Sequence, residues 1–122
     1  MKIATCVPVP FQTNEHFFSR DSGLLCTGFN SIGVSCSVVI PGEADPADSP
    51  LLVRATPLEM ESVEWWKKQN FDLVFLYGWA DPKYMPIAEA IRESGAKLVQ
   101  NIDAVGLFSP YANLKEWIKQ SA

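Results

Sequence analysis

Apolar residues along this chain come in short unbroken runs, and longer stretches with a helical period lie between them. Residues 2–7 (KIATCV) form the first run, of a length that suits a central strand. A polar and aromatic connection, 8–20, follows. Over 22–32 the period becomes helical: Leu24, Leu25, Phe29 and Ile32 share one face, and Gly28 is placed to let that face approach a sheet closely. Asp21 or Ser22 can cap this helix, and Gly33 can end it in the left-handed conformation. Residues 36–40 predict a second strand, stopped by Pro41 and Gly42, and "EADPADSP" is a surface loop. A short third strand is expected at 51–55. A helix over 57–69 is then expected, entered through Pro57 and carrying lysines in its last turn. Residues 72–77 (DLVFLY) are the strongest strand pattern. "GWADP" follows, then a helix over 82–94 with Ile87, Ala88 and Ile91 as its inner stripe, ended by Gly95. A fifth strand is expected at 97–102. A last short helix at 114–120 would bury Leu114, Trp117 and Ile118.

Strand and helix alternate, and the strong strands are apolar on both faces. That combination predicts a parallel sheet covered by helices on both sides. The expected fold class is therefore α/β: a Rossmann-like three-layer α/β/α domain, 1–122, with a five-stranded parallel sheet in the order 3-2-1-4-5 and right-handed crossovers.

Composition narrows the function classes. A hydrophobic fraction of 48%, with seven Phe and four Trp, excludes a disordered chain. The net charge of −4 and the scattered basic residues argue against nucleic acid and against an anionic membrane surface. The first apolar run is broken by Pro8 and Pro10, too early for a signal peptide or a membrane span, so a cytoplasmic protein is expected. Cys6, Cys26 and Cys36 contain no CxxC and read as reduced core thiols. With a single His they fall short of a metal site, and no metal or other cofactor is expected.

In an open α/β sheet a ligand sits outside the carboxyl ends of the strands, at the crevice where strand order reverses. Here that crevice lies between strands 1 and 4. The loop 8–21, "GWADP", and residues 103–110 would meet along this edge. They bring His16, Arg20, Tyr77, Trp79, Asp81 and Asp103 together, with Gly106 after the last. Aromatic walls with a few charged groups suit a polar organic ligand such as a sugar, because rings pack on C–H surfaces and carboxylates accept from hydroxyls. Each residue also has a plainer role: Asp103 as the cap of a turn before Gly106, His16 as a solvated loop residue, Trp79 as cover for the sheet end, Asp81 as a helix cap before Pro82. The chain has no GxGxxG, no GxxxxGK[ST], no GxSxG and no acidic cluster after strand 1. Classical dinucleotide binding, P-loop chemistry, the α/β-hydrolase elbow and a receiver domain are thus unsupported.

As an ordered set, "MKIATCVPVPF", "GFNSIGVSCSVVIPG" and "FDLVFLYGWADPKYMPIAEAIRESGAKLVQNID" resemble the N-terminal domain of GT-B glycosyltransferases of the retaining family 4 type. Asp72, Gly78 and Trp79 match that family's "PDVVHxHGW", and Asp103 and Gly106 match its later "DSDG". The chain departs from the pattern at three places. Only Gly23 stands for a first-loop glycine pair, Phe75 and Tyr77 replace the two histidines, and Val105 replaces the second acid.

The resemblance implies the acceptor-side half of an enzyme that moves a sugar from a nucleotide-sugar donor to a small-molecule or glycan acceptor. Asp103 would be its catalytic-side carboxylate, and His16, Arg20, Tyr77, Trp79 and Gly106 would face the acceptor. In that family the donor binds the C-terminal domain, which has no counterpart here, so the chain alone is expected to be inactive. The alternative is a stand-alone Rossmann-like ligand-binding or protein-interaction module, able to form a homodimer through its aromatic surface near Trp65, Trp66 and Trp117.

Overall fold

A computed structural model describes residues 1–10, 18, 21–78 and 81–100. Within these residues five strands form one parallel sheet: β1 (Lys2–Cys6), β2 (Ser35–Ile40), β3 (Leu52–Arg54), β4 (Leu73–Leu76) and β5 (Lys97–Gln100). Their spatial order is β3-β2-β1-β4-β5, as the sequence pattern predicts. Ile3 is the register partner of Cys36 in β2 and of Leu73 in β4, so β1 runs through the centre of the sheet.

The period-2 alternation of side chains divides the apolar residues between two faces. Ile3, Val7, Cys36, Val38, Ile40 and Tyr77 build one core layer. Ala4, Cys6, Val39, Val74 and Leu76 build the other. Central strands buried on both sides cannot alternate polar and apolar, which is why these runs read as continuous.

The helices cover the two faces unequally. One face carries α2 (Pro57–Met60), α3 (Val63–Gln69) and α4 (Met85–Glu93), through Met60, Trp66, Ile87, Ala88 and Ile91. On the other face the described residues provide only α1 (Asp21–Ser31), packed through Cys26 and Phe29. Gly33 follows α1 with φ +85°, the left-handed ending expected of it.

Local chemistry divides two of the expected helices. The single helix expected over 57–69 is interrupted at Glu61 and Ser62. Thr56 caps α2 in a reciprocal capping box with Glu59, and Ser62, in extended conformation, caps α3 by accepting from the Trp65 N–H. The helix expected from Pro82 begins instead as a 3₁₀ turn, Pro82–Tyr84, before α4. Pro86 has no N–H to donate to the Pro82 carbonyl, so the α-type bond there cannot form. Asp81 caps the turn as expected, accepting from the Lys83 N–H at 3.0 Å.

The stripe assigned to the inner side of α1 needs correction. Leu24 is 53% and Ile32 73% exposed, whereas Cys26, on another side of the helix, is sealed. Gly28 is exposed as well, and a Cβ there would meet nothing within 4 Å. It therefore serves no close approach to the sheet.

Candidate functional site

The carboxyl edge of the sheet opens where β1 and β4 part. After β1 the Val7 N–H donates to the Val39 carbonyl at 2.9 Å, and after β4 the Tyr77 N–H donates to the Cys6 carbonyl at 2.9 Å. The strand that follows β1, β2, lies on one side of this pair and the strand that follows β4, β5, on the other. This is the topological switch point at which open α/β sheets hold ligands.

Of the residues predicted to face a ligand, Tyr77 is described. It is 6% exposed, and its ring belongs to the α1-side core layer with Ile3, Val7 and Ile40. It is therefore a packed residue at the mouth of the crevice rather than an open platform. Asp103, His16, Arg20, Trp79 and Gly106 lie outside the described residues. Gly78, next to Tyr77, is buried; an added Cβ there would make ordinary contacts with Tyr84 at 3.6 Å.

Two further residues along this edge carry charge that is already engaged. Lys83 Nζ lies 5.0 Å from the centre of the Tyr84 ring and 3.5 Å from Asp81 Oδ2. Tyr84 foremost, then Asp81, holds this ammonium above its ordinary value. At the end of β3 the Arg54 guanidinium forks onto Asp48, with Nε to Oδ2 at 3.0 Å and Nη2 to Oδ1 at 2.8 Å. Its Nη1 donates to the Pro41 carbonyl at 3.1 Å. Arg54 is thereby a structural tie for the loop between β2 and β3.

Asp72, one of the residues on which the family resemblance rests, lies at the opposite, amino-terminal edge. Its Oδ2 accepts from the Lys2 backbone N–H at 2.7 Å. Its own N–H donates to the Lys2 carbonyl at 2.8 Å, and its carbonyl accepts from the Lys97 N–H at 3.0 Å. The backbone here joins the starts of β1, β4 and β5, and the carboxylate adds one further bond to β1, a structural use of the side chain.

The described residues also enclose a feature absent from the sequence-based expectations. A groove of about 700 Å³ runs beside α1 over β4 and β5, lined by Leu24, Leu25, Phe29, Ile32, Phe75 and Val99, with Tyr77 and Gln100 at its lining too. The signal for it was present: the Leu24–Ile32 stripe does mark an apolar face, but one that turns to this groove. Val99 of β5, 42% exposed, faces it from the sheet.

The groove is apolar, so it offers packing surface for non-polar groups. No group of three or more His, Cys, Asp or Glu able to hold a metal ion occurs among the described residues. No helix among them is long and apolar enough to cross a membrane. Comparison with family models, curated proteins and solved structures finds no match for the chain.

Proposed function

We propose that this chain is the acceptor-side, N-terminal part of a cytoplasmic GT-B glycosyltransferase, with the nucleotide-sugar donor held by a separate C-terminal domain. The observation that carries this reading is the sheet order β3-β2-β1-β4-β5, with its switch point between β1 and β4. The "GWADP" segment, on which the family resemblance rests, leaves β4 at that point. In this reading Trp79 packs on the C–H face of the acceptor, and the Asp103 carboxylate accepts from the acceptor hydroxyl that becomes the nucleophile. Gly106 leaves room for the ring, and His16 and Arg20 contact its polar rim. Stabilising the departing diphosphate is the larger electrostatic task, and it falls to the donor domain.

Tryptophan fluorescence of the chain, titrated with a panel of glycosides and with nucleotide sugars, tests this. Glycosides are expected to change the emission and Trp79→Phe to abolish the change, while nucleotide sugars leave it flat. Saturable binding of nucleotide sugars, or no response to any glycoside, would overturn the acceptor-side assignment.

A further inference from the structure

Two of the three cysteines lie together. Cys26 of α1 and Cys36 of β2 belong to the same core layer, while Cys6 belongs to the opposite one. We propose that Cys26 and Cys36 are a peroxide-reactive pair, oxidised to a disulfide that latches α1 onto β2. This inference is independent of the sugar-transfer reading.

The geometry of the pair supports it. Cys26 Sγ donates to the carbonyl of Cys36 itself at 3.3 Å, and the two thiols are in contact. Asn30, one turn after Cys26 on α1, ties both residues. Its Nδ2 donates to the Cys26 carbonyl and to the Cys36 carbonyl, each at 2.9 Å, and its Oδ1 accepts from the Cys36 N–H at 3.3 Å. Two cysteines can be bridged only where their backbones are already close. Here one carboxamide spans the two backbones and holds them side by side before any bond forms.

The pair is also polarised. The Cys36 thiol foremost lowers Cys26 below its ordinary value; burial opposes this, and the Asn30 Nδ2, 3.5 Å from Sγ, assists it. Cys36 is raised by the same contact. Cys26 is therefore the thiolate that attacks, and Cys36 the thiol that resolves.

The oxidant is hydrogen peroxide, small enough to reach a sealed pair through local openings of α1. Cys26 Sγ loses its proton and attacks one peroxide oxygen. The O–O bond breaks, and the departing hydroxide takes up that proton and leaves as water. Cys36 Sγ then attacks the sulfur of the Cys26 sulfenic acid. The S–O bond breaks, and hydroxide leaves with the Cys36 proton as a second water. Two thiols have lost two electrons and peroxide has gained them. The new bond closes a short loop, positions 26 and 36 being ten apart, and so restricts the unfolded chain. It also fixes the helix whose Leu24, Leu25 and Phe29 line the apolar groove.

Peroxide treatment of the reduced, folded 122-residue chain tests this, followed by alkylation in urea and peptide mapping by mass spectrometry. Of the three free thiols, two are expected to disappear, with a mass lower by two hydrogens and a Cys26–Cys36 cross-link, while Cys6 is alkylated. The oxidised chain should show a higher urea midpoint that dithiothreitol reverses. Cys36→Ala should leave Cys26 as a sulfenic acid trapped by dimedone, and Cys26→Ala should leave Cys36 unreacted. Three surviving thiols, a cross-link to Cys6 or between chains, or added oxygen without a cross-link would each overturn the inference. Should the variants at 26 or 36 not fold, Cys6→Ala keeps the pair intact and must lose both remaining thiols; retention of either overturns it equally. These readouts involve no sugar, so failure here and failure of the acceptor-side reading are separately visible.

Discussion

Trp66 is 2% exposed beneath α3. Its indole Nε1 donates to the Met60 carbonyl at 2.7 Å, and its ring meets Trp65 edge-on at 4.9 Å between centroids. One side chain thus binds α3 to α2 and seals both to the sheet. Trp66→Ala is expected to cost about 3–5 kcal/mol in urea denaturation, the range for truncating a buried aromatic. Trp65→Ala, at a half-buried position, should cost clearly less. Equal losses at the two positions would refute this division. The sequence reading places both tryptophans on an aromatic surface open to a second copy; Trp66 is instead sealed in the core and Trp65 half-buried against it, because adjacent positions on a helix do not reveal which one faces the sheet.

At the same scale, Cys6 is fully buried in β1, and desolvation pushes its thiol far above the ordinary value of 9.0. Cys36 is pushed up by its contact with Cys26 and then by burial, but the same contact lowers Cys26, so the shifts within that pair oppose each other and Cys6 sets the sign. The unfolded chain releases the Cys6 proton near 9.0 while the folded chain retains it. Stability is therefore fully present below that pH and lost as pH rises from there toward the folded value. Urea midpoints should fall above pH 9, and less steeply in Cys6→Ala. An identical slope in that variant would exclude Cys6 as a source. That these cysteines are free, buried thiols agrees with the sequence reading.

Among the elements, the loop between β2 and β3 shows how a short strand is held. Residues Leu52–Arg54 are only partly buried, yet the fork of Arg54 onto Asp48 and the bond to the Pro41 carbonyl tie both ends of that loop to the strand. The two side chains are 17% and 15% exposed, so solvent screens the pair only partly. Asp48→Ala is expected to cost about 1.5–3 kcal/mol by chemical denaturation, as for hydrogen bonds to charged groups. A loss below a few tenths would mark the pair as ornamental. "EADPADSP" read as a plain surface loop because nothing local shows that Asp48 reaches a residue on the following strand. The divisions of the helices, by contrast, were legible in principle: Ser62 three residues before Trp65, and Pro86 four after Pro82, are local signals.

For the whole molecule, the fastening at Asp72 and the proposed ligand crevice lie at opposite ends of the strands. Asp72 at the amino-terminal edge binds β1, β4 and β5 together, while the crevice opens at the carboxyl edge. Asp72→Ala should therefore lower stability by about 0.5–1.5 kcal/mol, the net worth of a typical hydrogen bond, and leave glycoside affinity in the fluorescence titration unchanged. A folded Asp72→Ala protein that has lost glycoside binding would relocate the site to the other end of the sheet.

The sequence by itself determined the class, the count and the order of the strands. Those follow from local runs apolar on both faces and from the handedness of parallel crossovers, which need no knowledge of distant contacts. Only the tertiary structure decided which way the apolar stripe of α1 faces. The rotation of a helix on a sheet depends on what packs beside it, and Cys26 and Phe29 dock while Leu24 and Ile32 turn to the groove. It likewise decided that Asp72 is a fastening and Tyr77 a packed wall. A carboxylate or a phenol has the same local signature in either role, and the choice is made by the partners that folding brings to it.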